Sequence, residues 1–124
     1  MSKILIVDDN PASRDLLRAI LKSVTSDIVE ATHGQEALEL IEQERPDLVL
    51  MDIDMPVLDG LSAVRKIRQD PALADLPVVA ITSFAMEGDR ERGLAAGFTM
   101  YLTKPVRAAV LRQQVQQLFG RPVA

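Results

Sequence analysis

The sequence contains no cysteine and no tryptophan, and it has only one tyrosine and three phenylalanines. Without cysteine, neither a disulfide nor a thiolate metal site can form, so a reducing compartment is allowed. The apolar runs are too short for a signal-peptide core or a membrane-spanning helix. A formal net charge of −4 argues against non-specific binding to nucleic acid, which requires clustered lysine and arginine. These absences favour a cytoplasmic protein that binds neither nucleic acid nor membrane.

The chain does contain enough apolar residues for one core. Of its 124 residues, 48% are hydrophobic, which suffices for one domain over residues 1–124 and leaves no room for a separate output domain. The runs 3–7 and 47–51 are continuously apolar and rich in branched residues, which predicts strands buried on both faces. Further strands are predicted over 28–31, 77–81 and 98–102. They alternate with five helices, the first starting at Pro11 with Asn10 as its cap and the fourth covering 87–96, so the order predicts a doubly wound parallel α/β sheet.

Acidic side chains follow two of the predicted strands. Asp8 and Asp9 come directly after the first strand, and Asp52 and Asp54 come after the third. The carboxyl ends of parallel strands share one edge of a sheet, where ligands bind in this class of fold. Carboxylates gathered there repel one another, so they must hold protons or recruit a cation, and hard oxygen ligands select Mg²⁺ or a similar ion. Taken alone, Asp8-Asp9 could equally be a cluster that caps the first helix.

Four short motifs together resemble one known family. Each lies at the end of a different predicted strand: Val7-Asp8-Asp9-Asn10, Met51-Asp52-Ile53-Asp54-Met55-Pro56, Ala80-Ile81-Thr82-Ser83 and Tyr101-Leu102-Thr103-Lys104-Pro105. In this order they resemble the CheY-like receiver domain of response regulators in two-component signalling, and the match spans the whole chain. The resemblance implies a flavodoxin-like sheet of five strands in the order 2-1-3-4-5.

The resemblance also implies a phosphoacceptor. Asp52 would accept a phosphoryl group from a sensor histidine kinase or a histidine phosphotransfer protein, and the chain would catalyse only its own phosphorylation and dephosphorylation. Asp9 and Asp52 would bind Mg²⁺ directly, Asp8 would act through water, and Asp54 would contribute its backbone carbonyl. Lys104 would pair with a phosphoryl oxygen.

Signalling would use a threonine and an aromatic side chain. Thr82 would hydrogen-bond the phosphoryl group, and Tyr101 would turn inward in response. With no output domain, the signal would leave through the face of the fourth helix, fifth strand and fifth helix, to a protein target or a second copy of the chain. The resemblance implies a cis Lys104-Pro105 bond. Thr99-Met100 depart from the family, which often has acidic residues there, and Asp54 is an uncommon extra charge at the pocket mouth.

Two other classes stay open at this point. Asp52-Ile53-Asp54 also resembles the acid pair of haloacid-dehalogenase-type phosphatases, although that family places its nucleophile after the first strand. A pseudo-receiver that acts only as a docking module is the second alternative, and it is disfavoured by the presence of Asp9, Asp52, Thr82 and Lys104. Asp59-Gly60 is interpreted as a turn device outside the site, and His33 as an exposed loop residue.

Overall fold

A computed structural model describes residues 3–83 and 85–119 of the chain. The strands are β1 (Ile4–Val7), β2 (Ile28–Ala31), β3 (Leu48–Met51), β4 (Val78–Thr82) and β5 (Met100–Thr103). The helices are α1 (Pro11–Leu21), α2 (Gly34–Glu44), α3 (Gly60–Gln69), α4 (Asp89–Ala96) and α5 (Ala108–Phe119). Within the described part of the chain, no helix combines the length and the apolar character that crossing a membrane requires.

The five strands form one parallel sheet in the order β2-β1-β3-β4-β5, which confirms the predicted topology. The register aligns Val7 of β1 with Met51 of β3, at the last residue of each strand. The residues that follow, Asp8 and Asp52, therefore leave the sheet side by side. In the same way, Thr82 at the end of β4 pairs with Thr103 of β5, directly before Lys104.

The core lies in two layers, one on each face of the sheet. Alternate residues of β1 point to opposite layers: Ile4 and Ile6 pack with α1 and α5, whereas Leu5 and Val7 pack with α2 and α3. All residues of β1 and β3 are buried, as the continuous apolar runs predict. Helix α4 is different, because Gly93 is its only buried residue.

Several predicted boundaries differ from the structure by one to two residues. Strand β5 begins at Met100 rather than at residue 98, because the N–H groups of Gly97 and Phe98 bond back to the Gly93 carbonyl and end α4. Strand β4 begins at Val78 and includes Thr82. Helix α4 begins at Asp89 rather than at residue 87. A 3-10 turn over Pro71–Leu73, which the sequence analysis did not predict, precedes β4.

Candidate functional site

Three carboxylates meet at the carboxyl edge of the sheet. Asp8 and Asp52 are 2% and 8% exposed, whereas Asp9 is exposed to solvent. One carboxylate oxygen from each residue lies within 4.8 Å of the other two. The structure thus brings together three of the acids that the sequence analysis placed at one edge, and the pairing of β1 with β3 is the cause.

Local hydrogen bonds fix the two buried carboxylates. The Asn10 N–H donates to Asp8 Oδ1 at 2.9 Å, and the Ile53 N–H donates to Asp52 Oδ1 at 2.7 Å. Asn10 also caps α1, since its side-chain oxygen accepts hydrogen bonds from the first turn of the helix. Arg14 Nη1 donates to the Asp8 backbone carbonyl at 2.7 Å. Asn10 and Arg14 hold the loop in place, although the sequence analysis gave neither a role in the site.

The Lys104 ammonium contacts both buried acids. Its Nζ lies 3.0 Å from Asp8 Oδ2 and 3.3 Å from Asp52 Oδ2. The peptide bond that follows, Lys104-Pro105, is cis, as the family resemblance implies. One ammonium group therefore bridges the carboxylates of Asp8 and Asp52, which lowers their mutual repulsion.

The pKa values of Asp52 and Lys104 are both raised, for different physical reasons. Burial raises the pKa of Asp52 above its ordinary value of 3.8, and the nearby charge of Asp8 acts in the same direction. Lys104 and the Ile53 N–H oppose that rise without cancelling it. For Lys104, burial lowers the pKa, but the carboxylates of Asp8 and Asp52 outweigh it and the net direction is upward. Lys104 is consequently charged at neutral pH, and Asp52 loses its proton at a higher pH than an exposed aspartate.

A cavity of about 210 Å³ opens above these groups. Thr82, which is fully buried at the end of β4, lines this cavity together with the acids. The complete lining is Asp8, Asp9, Asn10, Asp52, Asp54, Thr82, Ser83 and Lys104. The cavity thus contains six of the seven predicted site residues, and the exception is Tyr101.

Tyr101 lies on β5, away from the cavity lining, and is only 3% exposed. Its ring packs against α4 at Gly93. Burial raises the pKa of its phenol above the ordinary value of 10.0, and the charge of Asp89 adds to that rise. Tyr101 is therefore positioned between the sheet and α4.

The β3–α3 loop is held against Asp52 by a glycine. The Gly60 N–H donates to the Ile53 carbonyl at 2.9 Å, and a Cβ at position 60 would lie 2.4 Å from the Asp52 carbonyl oxygen. Only glycine fits that approach.

Asp59 caps α3 by accepting a hydrogen bond from the Ser62 N–H at 2.8 Å and lies outside the acid cluster, as predicted. Asp54 is exposed at the rim of the cavity.

The donor set fits a small divalent cation. The cluster offers only carboxylate oxygens, the hard ligands that Mg²⁺ prefers, and no thiolate or imidazole that would favour zinc. Within residues 3–83 and 85–119, no hydrogen bond or ion pair engages the carboxylate of Asp9. One acid of the cluster is thus exposed and available to bind a cation, while Asp8 and Asp52 are held in position.

Known proteins resemble the chain over nearly its whole length. A protein of 14.6 kDa from the sodA1 3′ region of Leptolyngbya boryana is 43% identical over 114 residues, which is 92% of this chain and 87% of the relative. The polar-differentiation response regulator DivK of Brucella anthropi is 34% identical over 117 residues, with 94% and 95% covered. A magnesium-bound receiver domain of a Pseudomonas aeruginosa sensor histidine kinase has a TM-score of 0.88 and 38% identity, with 97% and 98% covered.

The family assignment follows from both kinds of similarity. The sequence profile of the response regulator receiver domain matches residues 4–116, which includes all five strands and most of α5. The fold, the strand order and the acid cluster agree with that match. The chain belongs to the response regulator receiver domain family of two-component signalling.

Proposed function

We propose that Asp52 is the phosphoacceptor of this receiver, and that it takes its phosphoryl group from a sensor histidine kinase or a histidine phosphotransfer protein. The observation that carries the proposal is the environment of its carboxylate. It lies at the end of β3, 3.3 Å from Lys104 Nζ and within 4.8 Å of oxygens from Asp8 and Asp9, at the base of a cavity. Residues 1–124 would act as one receiver domain.

In the transfer step, a carboxylate oxygen of Asp52 attacks the phosphorus atom of a phosphohistidine. The new P–O bond forms as the P–N bond breaks, and the electron pair of that bond returns to the imidazole of the donor. The attack requires the ionised carboxylate. Lys104 and the Ile53 N–H favour that form, since both lower a pKa that burial raises. The protein would catalyse its own phosphorylation and dephosphorylation and no other reaction.

Mg²⁺ would be held by Asp9, Asp52 and the backbone carbonyl of Asp54, with Asp8 acting through water. When bound, the ion supplies positive charge that offsets the negative charge on the transferred phosphoryl oxygens. Asp8 suits the indirect role because Asn10 and Lys104 already engage its two oxygens. Asp9 suits a direct role because it is exposed at the cavity.

Lys104 and Thr82 would act on the phosphoryl group after transfer. Lys104 can exchange its contact with Asp52 for one to a phosphoryl oxygen, because its Nζ already lies 3.3 Å from the Asp52 carboxylate. Thr82 lines the same cavity, where its hydroxyl would hydrogen-bond the group. Tyr101, the buried ring on β5, would respond as the switch residue.

The signal would leave through the face formed by α4, β5 and α5. Gln113, Gln116 and Gln117 are exposed on α5, and a polar surface of this kind suits reversible recognition. A downstream protein target would bind there, or a second copy of the chain once it is phosphorylated. We propose that the protein acts in the cytoplasm, where histidine kinases present their phosphohistidine.

Intact-mass measurement after incubation with acetyl phosphate and Mg²⁺ tests the assignment. The wild type is expected to gain one phosphoryl group, and Asp52→Asn none. Asp59→Asn is the matched control, because asparagine also caps a helix well and the change removes a nearby carboxylate outside the cluster. A phosphoryl gain in Asp52→Asn equal to that of the control would disprove the role of Asp52.

A further inference from the structure

The ring of Tyr101 occupies space that a side chain at position 93 would need. A Cβ built on Gly93 would lie 2.7 Å from Tyr101 Cδ2 and 2.8 Å from Cε2. Non-bonded carbon atoms normally approach to about 3.5–4.0 Å. The ring therefore packs directly against the backbone of α4, and it can do so only because residue 93 is glycine.

Backbone conformation does not explain a glycine at this position. Gly88 and Gly97, at the two ends of α4, have φ values of 88° and 127°, which favour glycine. Gly93 lies inside the helix and is not among the residues with positive φ. Inside a helix, glycine in place of alanine lowers the folding equilibrium constant about fivefold. The contact with the Tyr101 ring compensates for this loss of stability.

Helix α4 meets the sheet at this contact and at a hydrogen bond, 3.2 Å long, from Arg90 Nη1 to the backbone carbonyl of Tyr101. Gly93 is the only buried residue of α4, and its ring contact joins the helix to β5. The end of the helix is fixed separately, because Arg68 Nε donates to the Gly97 carbonyl at 2.9 Å. With that end held, a side chain added at position 93 is expected to displace the ring rather than the helix.

We propose that Gly93 is the positioning residue for Tyr101. Because Gly93 has no side chain, the ring can lie against the backbone of α4, in a space that we call the socket, and this contact couples the position of the ring to α4. The inference rests on the proposed function, since it assigns Tyr101 the role of switch residue. It goes further by naming the point on α4 at which the ring acts.

Tyrosine fluorescence tests the socket directly, because Tyr101 is the only tyrosine and there is no tryptophan. Gly93→Ala is expected to raise the acrylamide quenching constant of the emission by about twofold or more, as the ring moves toward solvent. Ala95→Ser is the matched control. It also adds one heavy atom to α4, but at an exposed position. Equal quenching in Gly93→Ala and wild type would overturn the proposal.

A double-mutant cycle gives a second, independent readout. In the Tyr101→Ala background, Gly93→Ala is expected to raise the folding equilibrium constant about fivefold, which is the usual gain for this change inside a helix. With Tyr101 present, the same change is expected to lower it. If Gly93→Ala alone fails to fold, folding of the double variant supports the socket. Failure of both, or equal gains in both backgrounds, overturns it.

A third measurement separates the socket from the phosphorylation step. Gly93→Ala is expected to accept a phosphoryl group from acetyl phosphate as the wild type does, but to lose the change in tyrosine quenching that phosphorylation causes. A full quenching response in the phosphorylated variant would overturn the coupling. If the wild type itself takes up no phosphoryl group, the proposed function fails, while the quenching and stability tests still decide whether Gly93 holds the ring.

Discussion

The Nζ of Lys104 lies 3.0 Å from Oδ2 of Asp8, although 96 positions separate the two residues in the chain. Because the same ammonium also reaches Asp52 at 3.3 Å, one lysine neutralises part of the charge of two buried carboxylates. Removing it leaves those carboxylates facing each other with less compensation, and the repulsion is strongest where water is excluded.

Lys104→Gln is accordingly expected to lower the free energy of unfolding in metal-free buffer by about 1–3 kcal/mol. Addition of Mg²⁺ should recover more stability in this variant than in the wild type, because the bound ion then replaces the positive charge of the missing Lys104 ammonium. Urea unfolding with and without Mg²⁺ measures both effects. Lys3→Gln is the control, since its ion pair with Glu44, 3.6 Å long, lies near the surface and such pairs contribute about 1 kcal/mol or less.

The raised pKa of Asp52 makes stability depend on pH in a defined direction. In the folded protein Asp52 keeps its proton to a higher pH than in the unfolded chain, where the ordinary value is 3.8. Between 3.8 and the raised pKa, the folded state binds more protons than the unfolded state. The contribution of Asp52 to stability therefore falls as the pH rises through that window, and it stays low at neutral pH.

We therefore expect Asp52→Asn to be more stable than the wild type at pH 7 without metal, and the difference to shrink as the pH falls through the raised pKa of Asp52 and to disappear below pH 3.8. Mg²⁺ binding should show the opposite trend in the wild type, with affinity rising as Asp52 ionises. Asp15→Asn, a charge change on the exposed face of α1, should alter neither profile. A wild type and Asp52→Asn of equal stability at pH 7 would contradict the shift.

Asp9 and Asp8 are expected to differ in their effect on metal binding. Asp9→Asn should weaken Mg²⁺ binding by about tenfold or more and leave the unfolding free energy nearly unchanged, because this carboxylate is exposed. Asp8→Asn should weaken binding less but lower stability, because Lys104 and Asn10 contact its buried oxygens. Calorimetric titration with Mg²⁺ measures the first effect and urea unfolding the second. A reversed order of metal affinities would show that the two acids have exchanged roles.

Much of the fold and the acid cluster could be predicted because both depend on local patterns. Continuous apolar runs identified β1 and β3 as buried strands, and the acids at their ends were predicted to meet at one edge. The register of Val7 with Met51 explains why that prediction was correct. The family resemblance supplied the strand order and the chemical identity of the site, which periodicity alone does not give.

Contacts between distant positions could not be predicted in the same way. Thr99 appeared only as a departure from the family, yet its hydroxyl accepts hydrogen bonds from Arg68 Nη2 and from the Val78 N–H, which joins the residue before β5 to α3 and β4. His33 was interpreted as an exposed loop residue, but its Nδ1 accepts from the Glu36 N–H and caps α2. Such roles depend on which side chains the fold brings together, and no periodic pattern encodes them.

Arg68 connects three segments and should be important for the stability of this region. Its guanidinium donates to the carbonyls of Gly97 and Leu73, each at 2.9 Å, and to Thr99 Oγ1 at 3.2 Å. Burial lowers its pKa, although the charge of Asp75 opposes this. Arg68→Lys keeps the charge but cannot reach all three acceptors, because a single ammonium lacks the planar fork of the guanidinium.

Arg68→Lys is therefore expected to destabilise the protein by about 2 kcal/mol, and to speed amide exchange at the end of α4. Arg65→Lys is the control on the same helix, because Arg65 is exposed. Urea unfolding and hydrogen exchange measured on the three proteins give the comparison. Equal exchange at Gly97 and Phe98 in all three would mean that Arg68 does not hold the end of α4.

Substitution of Thr82 is expected to leave phosphorylation intact and to block transmission of the signal. Thr82→Ala should still accept a phosphoryl group, because Asp52 and Lys104 are unchanged, but the quenching of Tyr101 fluorescence should no longer respond. Thr82→Ser keeps the hydroxyl and should restore the response. Thr103→Ala is the matched control, since Thr103 pairs with Thr82 across the sheet but is exposed.

Hydrogen exchange with an acyl-phosphate mimic, beryllofluoride with Mg²⁺, extends this test to the output face. In the wild type, changes are expected in α4, β5 and α5, because Gly93 is the only buried residue of α4 and the Arg90 side chain of that helix donates to the Tyr101 carbonyl of β5. In Thr82→Ala those changes should be strongly reduced while the mimic still binds at Asp52. Changes confined to α2 and α3 in the wild type would refute transmission through Thr82 and Tyr101, even if Asp52 is the phosphoacceptor.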